Sequence, residues 1–432
     1  MSSTHLIVTL DGIDAQQGAA QLRKWGKPIH WFDRSEFLAE TAQPGVPEFR
    51  AHRRVHYAGM PVLSGHRDLS GFAVTFAPED DHAERPWQHH PALRLLASDG
   101  AAVAFAADKL SVLRLFDDAR VRYPIVLTVP GGNPRLATEI WHALGNAPVV
   151  VQRRENNLIG RGTWLAKSPR LLADRLRQCT GHELRVSRYI EGLAVTVTAC
   201  ITSQDILVSG LSHQLVGIPT LGASWGAHCG NQLLHPDELP VGAADEIQQA
   251  GRRVGSALRT RGYLGTFGLD WIVDPTGAVY AIEINPRFQT VVSIVQAQEI
   301  TCGLMPTLGT HVLALGGNPC LPRVERSGRF YPLSQFVMHA PRDGVIASTI
   351  SSGCYRLDGR QLYPIPDRPL IELTDHEARV WVHAPRGAQV HTGDETMLVQ
   401  FAHRISPLTS RGKLHADATR WISALSPQFK ET

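Results

Sequence analysis

The stretch Gly262–Thr290, GYLGTFGLDWIVDPTGAVYAIEINPRFQT, decides how the chain reads. Asp274-Pro275-Thr276-Gly277 is a strong hairpin signal between two β-forming runs, Leu269 to Val273 and Ala278 to Asn285. A loop of those four residues pairs Val273 with Ala278 and sets Asp270 opposite Ala281. Strand side chains alternate between faces, so Glu283 and Asn285 then share a face with Asp270 while Ile282 and Ile284 bury the other. Two carboxylates and an amide oxygen suit a hard cation such as Mg²⁺, which takes oxygen ligands and completes its shell with water and phosphate. Arg287, four residues past Glu283, is placed to reach phosphate oxygens on the same site. The competing reading is a surface hairpin with polar outward positions. It fits poorly, because Glu283, Asn285 and Arg287 form an unbroken polar ladder backed by buried isoleucines.

Working outward, strands and helices alternate. His5 to Leu10 reads as a strand followed by a helix-like stretch to about Trp25. The histidine-rich segment Pro78 to Pro91 reads as a solvated loop rather than a metal site, since no second ligand cluster accompanies His82, His89 and His90. From Asp99 onward the chain reads as helix (Ala101 to Phe116), strand (Ile125 to Val129), helix (Pro134 to Leu144) and strand (Pro148 to Gln152). Strands at Leu193 to Ile201 and Ile206 to Leu211 precede a glycine-rich loop, Gly217 to Gly230, and a helix from about Ala243 to Arg261. The tail from about Phe330 reads as short strands separated by turns, with a boundary near Arg323 to Gly328.

Composition excludes several classes. At 432 residues the chain predicts two to four globular units, and 43% hydrophobic content excludes disorder as its main theme. With 43 basic against 40 acidic side chains, a net charge of +3 and no block of like charge, nucleic acid is not an expected partner. No run approaches the roughly 18 apolar residues of a membrane span, and the N-terminal residues do not resemble a signal peptide, so a cytoplasmic protein without membrane partners is expected. The six cysteines include no C-x-x-C pair and are read as ordinary reduced thiols.

EINPR after a G-x-D hairpin, with thirteen residues from Asp270 to Glu283, resembles the metal-binding end of the ATP-grasp enzymes. With three further elements the family's order is followed over about 180 residues, and the resemblance covers roughly Asp99 to Gln298. Ala107-Asp108-Lys109 at a helix start resembles the first ATP lysine. VVVQRRENNLIGRGT (149–163) resembles the lid strand and glycine-rich loop, and SRYIEG (187–192) the hinge that meets adenine. The resemblance implies an α+β ATP-grasp fold with a small N-terminal α/β domain (1–98), the ATP-grasp domain (99–325, lid about 120–186) and a β-rich C-terminal domain (326–432). It implies ATP and Mg²⁺, with Asp270, Glu283 and Asn285 as metal ligands and Lys109 and Arg287 as the catalytic cations. Gln152, Arg154, Gly160, Arg161, Gly162, Thr163, Arg188, Tyr189, Ile190 and Glu191 would line the nucleotide site together with Lys109. A compact ammonium suits phosphate, and glycine lets backbone amides approach it closely.

Three departures from the family pattern stand out. Gln152 occupies the place of the second ATP lysine, leaving the charge to an arginine such as Arg153 or Arg154. Ala194 replaces the ribose acid, with Glu191 a possible substitute, and Gly268 replaces an arginine before the metal aspartate, which shifts phosphate duty to Arg287. HQLVGIP (213–219) with Cys229-Gly230-Asn231 resembles bacterial ATP-grasp ligases of peptide natural products, including the pheganomycin-type peptide ligases, and makes Gln214 and Asn231 candidate substrate contacts; a structural loop with satisfied amides is the other reading. The function implied is an ADP-forming ligase that joins a carboxylate, an amino acid or short peptide, to an amine through an acyl phosphate. A non-amine acceptor or an inactive nucleotide-binding module are the alternatives, and a homodimer is compatible with either. The rival motif Gly222-Ala223-Ser224-Trp225-Gly226 satisfies G-x-S-x-G, but a nucleophile elbow needs a strand directly before it and a helix directly after, and the sequence supplies neither. The tail segment 384–394 resembles turns of the small β domain that closes biotin-carboxylase-like chains, without a lysine for a prosthetic group.

Overall fold

The computed structural model describes residues 96–154, 162–302, 304–317, 329–347, 350–384, 386–408 and 412–426, with the backbone of six strands before residue 96 and one after residue 428. Those six are His5–Thr9 (β1), His30–Phe32 (β2), Phe49–Arg50 (β3), Arg54–Val55 (β4), Gly71–Thr75 (β5) and Leu93–Leu95 (β6). Strands β2, β1, β5 and β6 form a parallel sheet in that order. The helix expected after Leu10 and the loop 78–91 lie outside the described residues.

Asp99 caps Gly100–Ala107 (α1) by accepting from the amides of Ala101 and Ala102. The single helix expected to Phe116 is broken. Asp108 Oδ1 accepts from the amides of Leu110 and Ser111 at 3.1 and 2.6 Å, starting a second helix, Ser111–Asp118 (α2), and leaving Lys109 in the corner between the two. A short acidic side chain that competes for local amides does this readily.

Val126–Pro130 (β7), Val149–Arg153 (β8), Thr163–Ala166 (β9) and Glu183–Arg188 (β10) make a separate antiparallel sheet in the order β7-β10-β8-β9. Ala137–Ala143 (α3) and Pro169–Gln178 (α4) supply Ile140, Leu172 and Leu176 to its core against Val149, Val151, Leu184 and Val186. Serine before proline is a favourable helix start, and Ser168 Oγ accepts from Leu171 N there.

The body is one ten-stranded sheet. Leu193–Ile201 (β11), Ile206–Val216 (β12), His228–Leu233 (β13), Gly265–Val273 (β14) and Val279–Asn285 (β15) are antiparallel in the order β15-β14-β11-β12-β13. Helix Ala243–Arg259 (α5) buries Ile247, Ala250, Val254 and Leu258 at helical spacing over β11 and β12. Its glycine at 255 sets the closeness of approach, since a Cβ there would meet Ile206 Cγ2 at 2.8 Å. Helices Val292–Thr301 (α6) and Thr307–Leu315 (α7) follow the hairpin.

In the tail, Ser334–His339 (β16), Gly344–Ile346 (β17), Gly353–Asp358 (β18), Gln361–Ile365 (β19), Glu377–Val382 (β20), Gln389–Val390 (β21), Glu395–Phe401 (β22) and Phe429–Lys430 (β23) confirm the short-strand reading. Sequence reading missed the helix Ala416–Leu425 (α8), which buries Trp421 and Leu425. Strands β16, β22, β20, β18 and β19 extend the body sheet from β13. No helix among the described residues is long and apolar enough to cross a membrane.

Candidate nucleotide and metal site

The register of the deciding hairpin differs from the expected one. Val273 pairs with Val279, and Asp274 Oδ1 accepts from the amides of Thr276 and Ala278 to close the loop. That one-residue shift alone would turn Glu283 to the wrong face. A β-bulge between Ala281 and Glu283 corrects it: Trp271 pairs with Ala281 and Asp270 with Glu283. The backbone freed by the bulge is satisfied from outside the hairpin, with Ala281 N donating to Arg122 O and Arg185 Nη1 donating to Ile282 O at 2.8 Å.

Glu283, Asp270, Thr196 and Ser212 are successive cross-strand partners on β15, β14, β11 and β12, and form a polar row across the sheet. Asp270 Oδ1 accepts from Thr196 Oγ1 at 2.5 Å and Gln289 Nε2 at 3.1 Å, and its Oδ2 accepts from Asn285 Nδ2 at 2.9 Å. Lys109 Nζ lies 2.6 Å from Glu283 Oε2, and Arg287 donates to Asn285 Oδ1 at 2.9 Å and to Phe288 O. Burial and the neighbouring Glu283 charge push Asp270 above the ordinary carboxylate range, against its three hydrogen bonds. Burial pushes Glu283 the same way, but Lys109, Arg287 and Arg185 outweigh it and hold that carboxyl below its usual value. Three cations thus face two carboxylates, an excess of positive charge suited to a polyphosphate.

These groups line one cavity of about 660 Å³ between the β7-β10-β8-β9 sheet and the body. Gln152, Thr163, Arg188, Tyr189, Ile190 and Glu191 line it, as do Gln214 and Asn231, which are cross-strand partners on β12 and β13. His228 Nε2–H donates to Asn231 Oδ1 at 2.7 Å. Arg154 stands apart from the other expected residues. It is half exposed and bonded to Asp108 and Glu183, and Arg153 lies over the Trp164 ring, so neither substitutes for a lysine at position 152. Gly162, with φ of +77°, lies outside the lining, and Gly160 and Arg161 lie outside the described residues.

Sequence reading missed Arg185, Thr196, Gln289, His228 and Glu395, all in the lining. Arg185 sits two residues before Ser187 on one strand and so shares its face, a signal the alternation rule supplies. Gln289 explains the glycine at 268: a Cβ there would fall 1.8 Å from Gln289 Oε1, so the small residue leaves room for the amide that reaches Asp270. Ser224 is exposed in a loop followed by β13 rather than by a helix, so it is not a nucleophile elbow.

Among the described residues no cluster of three or more His, Cys, Asp or Glu side chains converges. The set here is two carboxylates and one amide, all hard oxygens, and it fits a divalent cation that needs few protein ligands. Both Asp270 oxygens, Glu283 Oε2 and Asn285 Oδ1 now answer neighbouring donors that such a cation would displace.

Residues 106–291, which hold the second sheet, strands β11 to β15 of the body and the hairpin with its paired acids, match the ATP-grasp domain family. Solved structures of the same fold include carboxyaminoimidazole ribonucleotide synthase of Aspergillus clavatus, complexed with ATP (10% identity, TM-score 0.60, covering 99% of this chain and 98% of that one). Biotin carboxylase of Campylobacter jejuni (14%, 0.60, 93% and 88%) and phosphoribosylamine–glycine ligase of Thermotoga maritima (13%, 0.57, 98% and 96%) are others.

Proposed function

We propose that this chain is an ATP-dependent carboxylate–amine ligase that releases ADP and phosphate, and that its carboxylate is an amino acid or a short peptide destined for a specialised peptide product. The observation that carries the reading is the convergence of Asp270, Glu283 and Asn285 with Lys109 and Arg287 in one cavity that Gln214, Asn231 and His228 also line. In the first step a carboxylate oxygen attacks the γ-phosphorus, the bond to the bridging oxygen breaks, and ADP leaves an acyl phosphate. In the second, an amine attacks the acyl carbon, phosphate departs, and the amine nitrogen loses its proton as the amide forms.

Lys109 and Arg287 offset charge on the transferred phosphoryl group, in place before the reaction begins. Mg²⁺, held by Asp270, Glu283 and Asn285, would supply charge neutralisation and alignment of the phosphate oxygens. Thr196 and Gln289 fix the Asp270 carboxylate, and Tyr189 to Glu191 offer a strand end to the base and sugar. The reading extends to a cytoplasmic enzyme acting on small molecules as a homodimer, divided at residues 98 and 325 with 120–186 as the lid.

Hydroxylamine captures acyl phosphates, so wild type with Mg·ATP and pooled amino acids or dipeptides is expected to yield hydroxamate and ADP in equal amounts. Glu283→Ala should yield neither. AMP in place of ADP, or the absence of ATP binding by wild type, would rule the assignment out; ATP binding without turnover in any pool would favour the nucleotide-binding module.

A further inference from the structure

We propose that Arg185 is the buried cation through which the β7-β10-β8-β9 sheet grips the polyphosphate of a nucleoside triphosphate, a role that rests on the nucleotide reading above. Arg185 projects from β10, directly opposite Gln152 on β8, which in turn faces Thr163 on β9. The three make a row on the cavity side of that sheet, and all line the cavity with Lys109 and Glu283.

The other basic groups on these strands are spent or exposed. Arg154 is tied to Asp108 and Glu183, Arg153 lies over Trp164, and Arg188 is solvent-exposed. Arg185 is only 1% exposed. Among the described residues its one hydrogen bond is Nη1 to Ile282 O, and its Nε is buried with no partner there. Burying a guanidinium with an unspent donor costs free energy, and burial draws its pKa down to about 10. A structural brace for the bulge would need only the one bond it makes. The remaining N–H groups, held in a planar fork beside Lys109 and Glu283, match phosphate oxygens.

Binding separates the two roles without any turnover. Calorimetric titration of ATP, ADP and adenosine into wild type, Arg185→Gln, Arg185→Lys and the double variant Arg185→Gln/Gln152→Lys reads the phosphate contribution directly. Arg185→Gln is expected to weaken ATP and ADP by about 30-fold or more while leaving adenosine within about twofold, as loss of a charge-assisted contact predicts. Arg185→Lys, which keeps the charge and secures the fold, should lose less than the glutamine variant. Moving the cation one place along the row in the double variant should recover most of the ATP affinity.

Equal weakening of ATP and adenosine, unchanged ATP affinity, or no recovery in a double variant that melts as wild type would each overturn the assignment. A wild type that binds adenosine nucleotides not at all overturns the nucleotide reading and this one with it. Normal ATP binding by every variant overturns this one alone.

Discussion

Glu283→Gln is expected to lower ADP formation by about 10²–10³-fold, the loss typical of removing one preorganised electrostatic group from an active site. The substitution preserves shape and removes charge. Glu283 is the acceptor for Lys109 at 2.6 Å, and Arg185 and Arg287 also favour its ionised form. With glutamine in its place three cations face Asp270 alone, and Lys109, whose side chain is 7% exposed, keeps its charge without its partner. Breaking a fully buried pair costs roughly 3–5 kcal/mol; because Glu283 is open to the cavity, about 2 kcal/mol is expected here. The unliganded variant should therefore melt below wild type. Mg·ATP should raise the melting temperature of both proteins, each by an amount set by its own affinity. Activity above a tenth of wild type, measured with saturating ATP, would show that Glu283 holds no metal that the reaction needs.

The second large effect is acid lability through His311. This side chain is buried on α7, accepts from Thr266 N through Nδ1 and donates from Nε2 to Leu96 O, both at 3.0 Å, so it is held neutral. Burial lowers its pKa from 6.5 to about 4. The folded value is depressed, so between pH 6.5 and 4 the unfolded chain binds a proton that the folded one refuses. Stability is full above 6.5 and falls as pH drops to 4, by about 1.4 kcal/mol per unit and about 3 kcal/mol in all. Urea midpoints from pH 7 to 4 should show the slope, and His311→Gln should flatten it by that amount even if the variant starts less stable. Parallel curves for the two proteins would mean that the histidine does not titrate with unfolding.

The hairpin shows how far the sequence carried and where it stopped. Alternation places Asp270, Glu283 and Asn285 on one face, and they are there, but the pairing at the loop is off by one residue and Asp270 meets Glu283 rather than Ala281. The outcome survives because a bulge restores the phase. Nothing local in VYAIEIN announces that bulge, whose freed groups are answered by Arg122 and Arg185 from distant segments. Long-range satisfaction of backbone polar groups is invisible to period-based reading. The same holds for the broken helix at Asp108, where a capping carboxylate overrode a continuous apolar pattern. Along the chain Gln152 reads as a missing charge to be supplied by its neighbours, whereas the buried cation stands opposite it on the adjacent strand. Neighbours across a sheet, unlike neighbours along the chain, require the register.

The seam between β13 and β16 has a consequence for anyone who would take the molecule apart. Gly230 and Phe336 are paired there so closely that a Cβ on the glycine would fall 2.2 Å from Gln335 O. The tail is therefore not a detachable accessory: it completes the sheet and brings Glu395 and Ser406 to the cavity wall. Cleaved within 318–328, each fragment would carry a raw strand edge complementary to the other. In the vocabulary of protein engineering the chain has the layout of a split protein, whose two pieces share one sheet and one pocket.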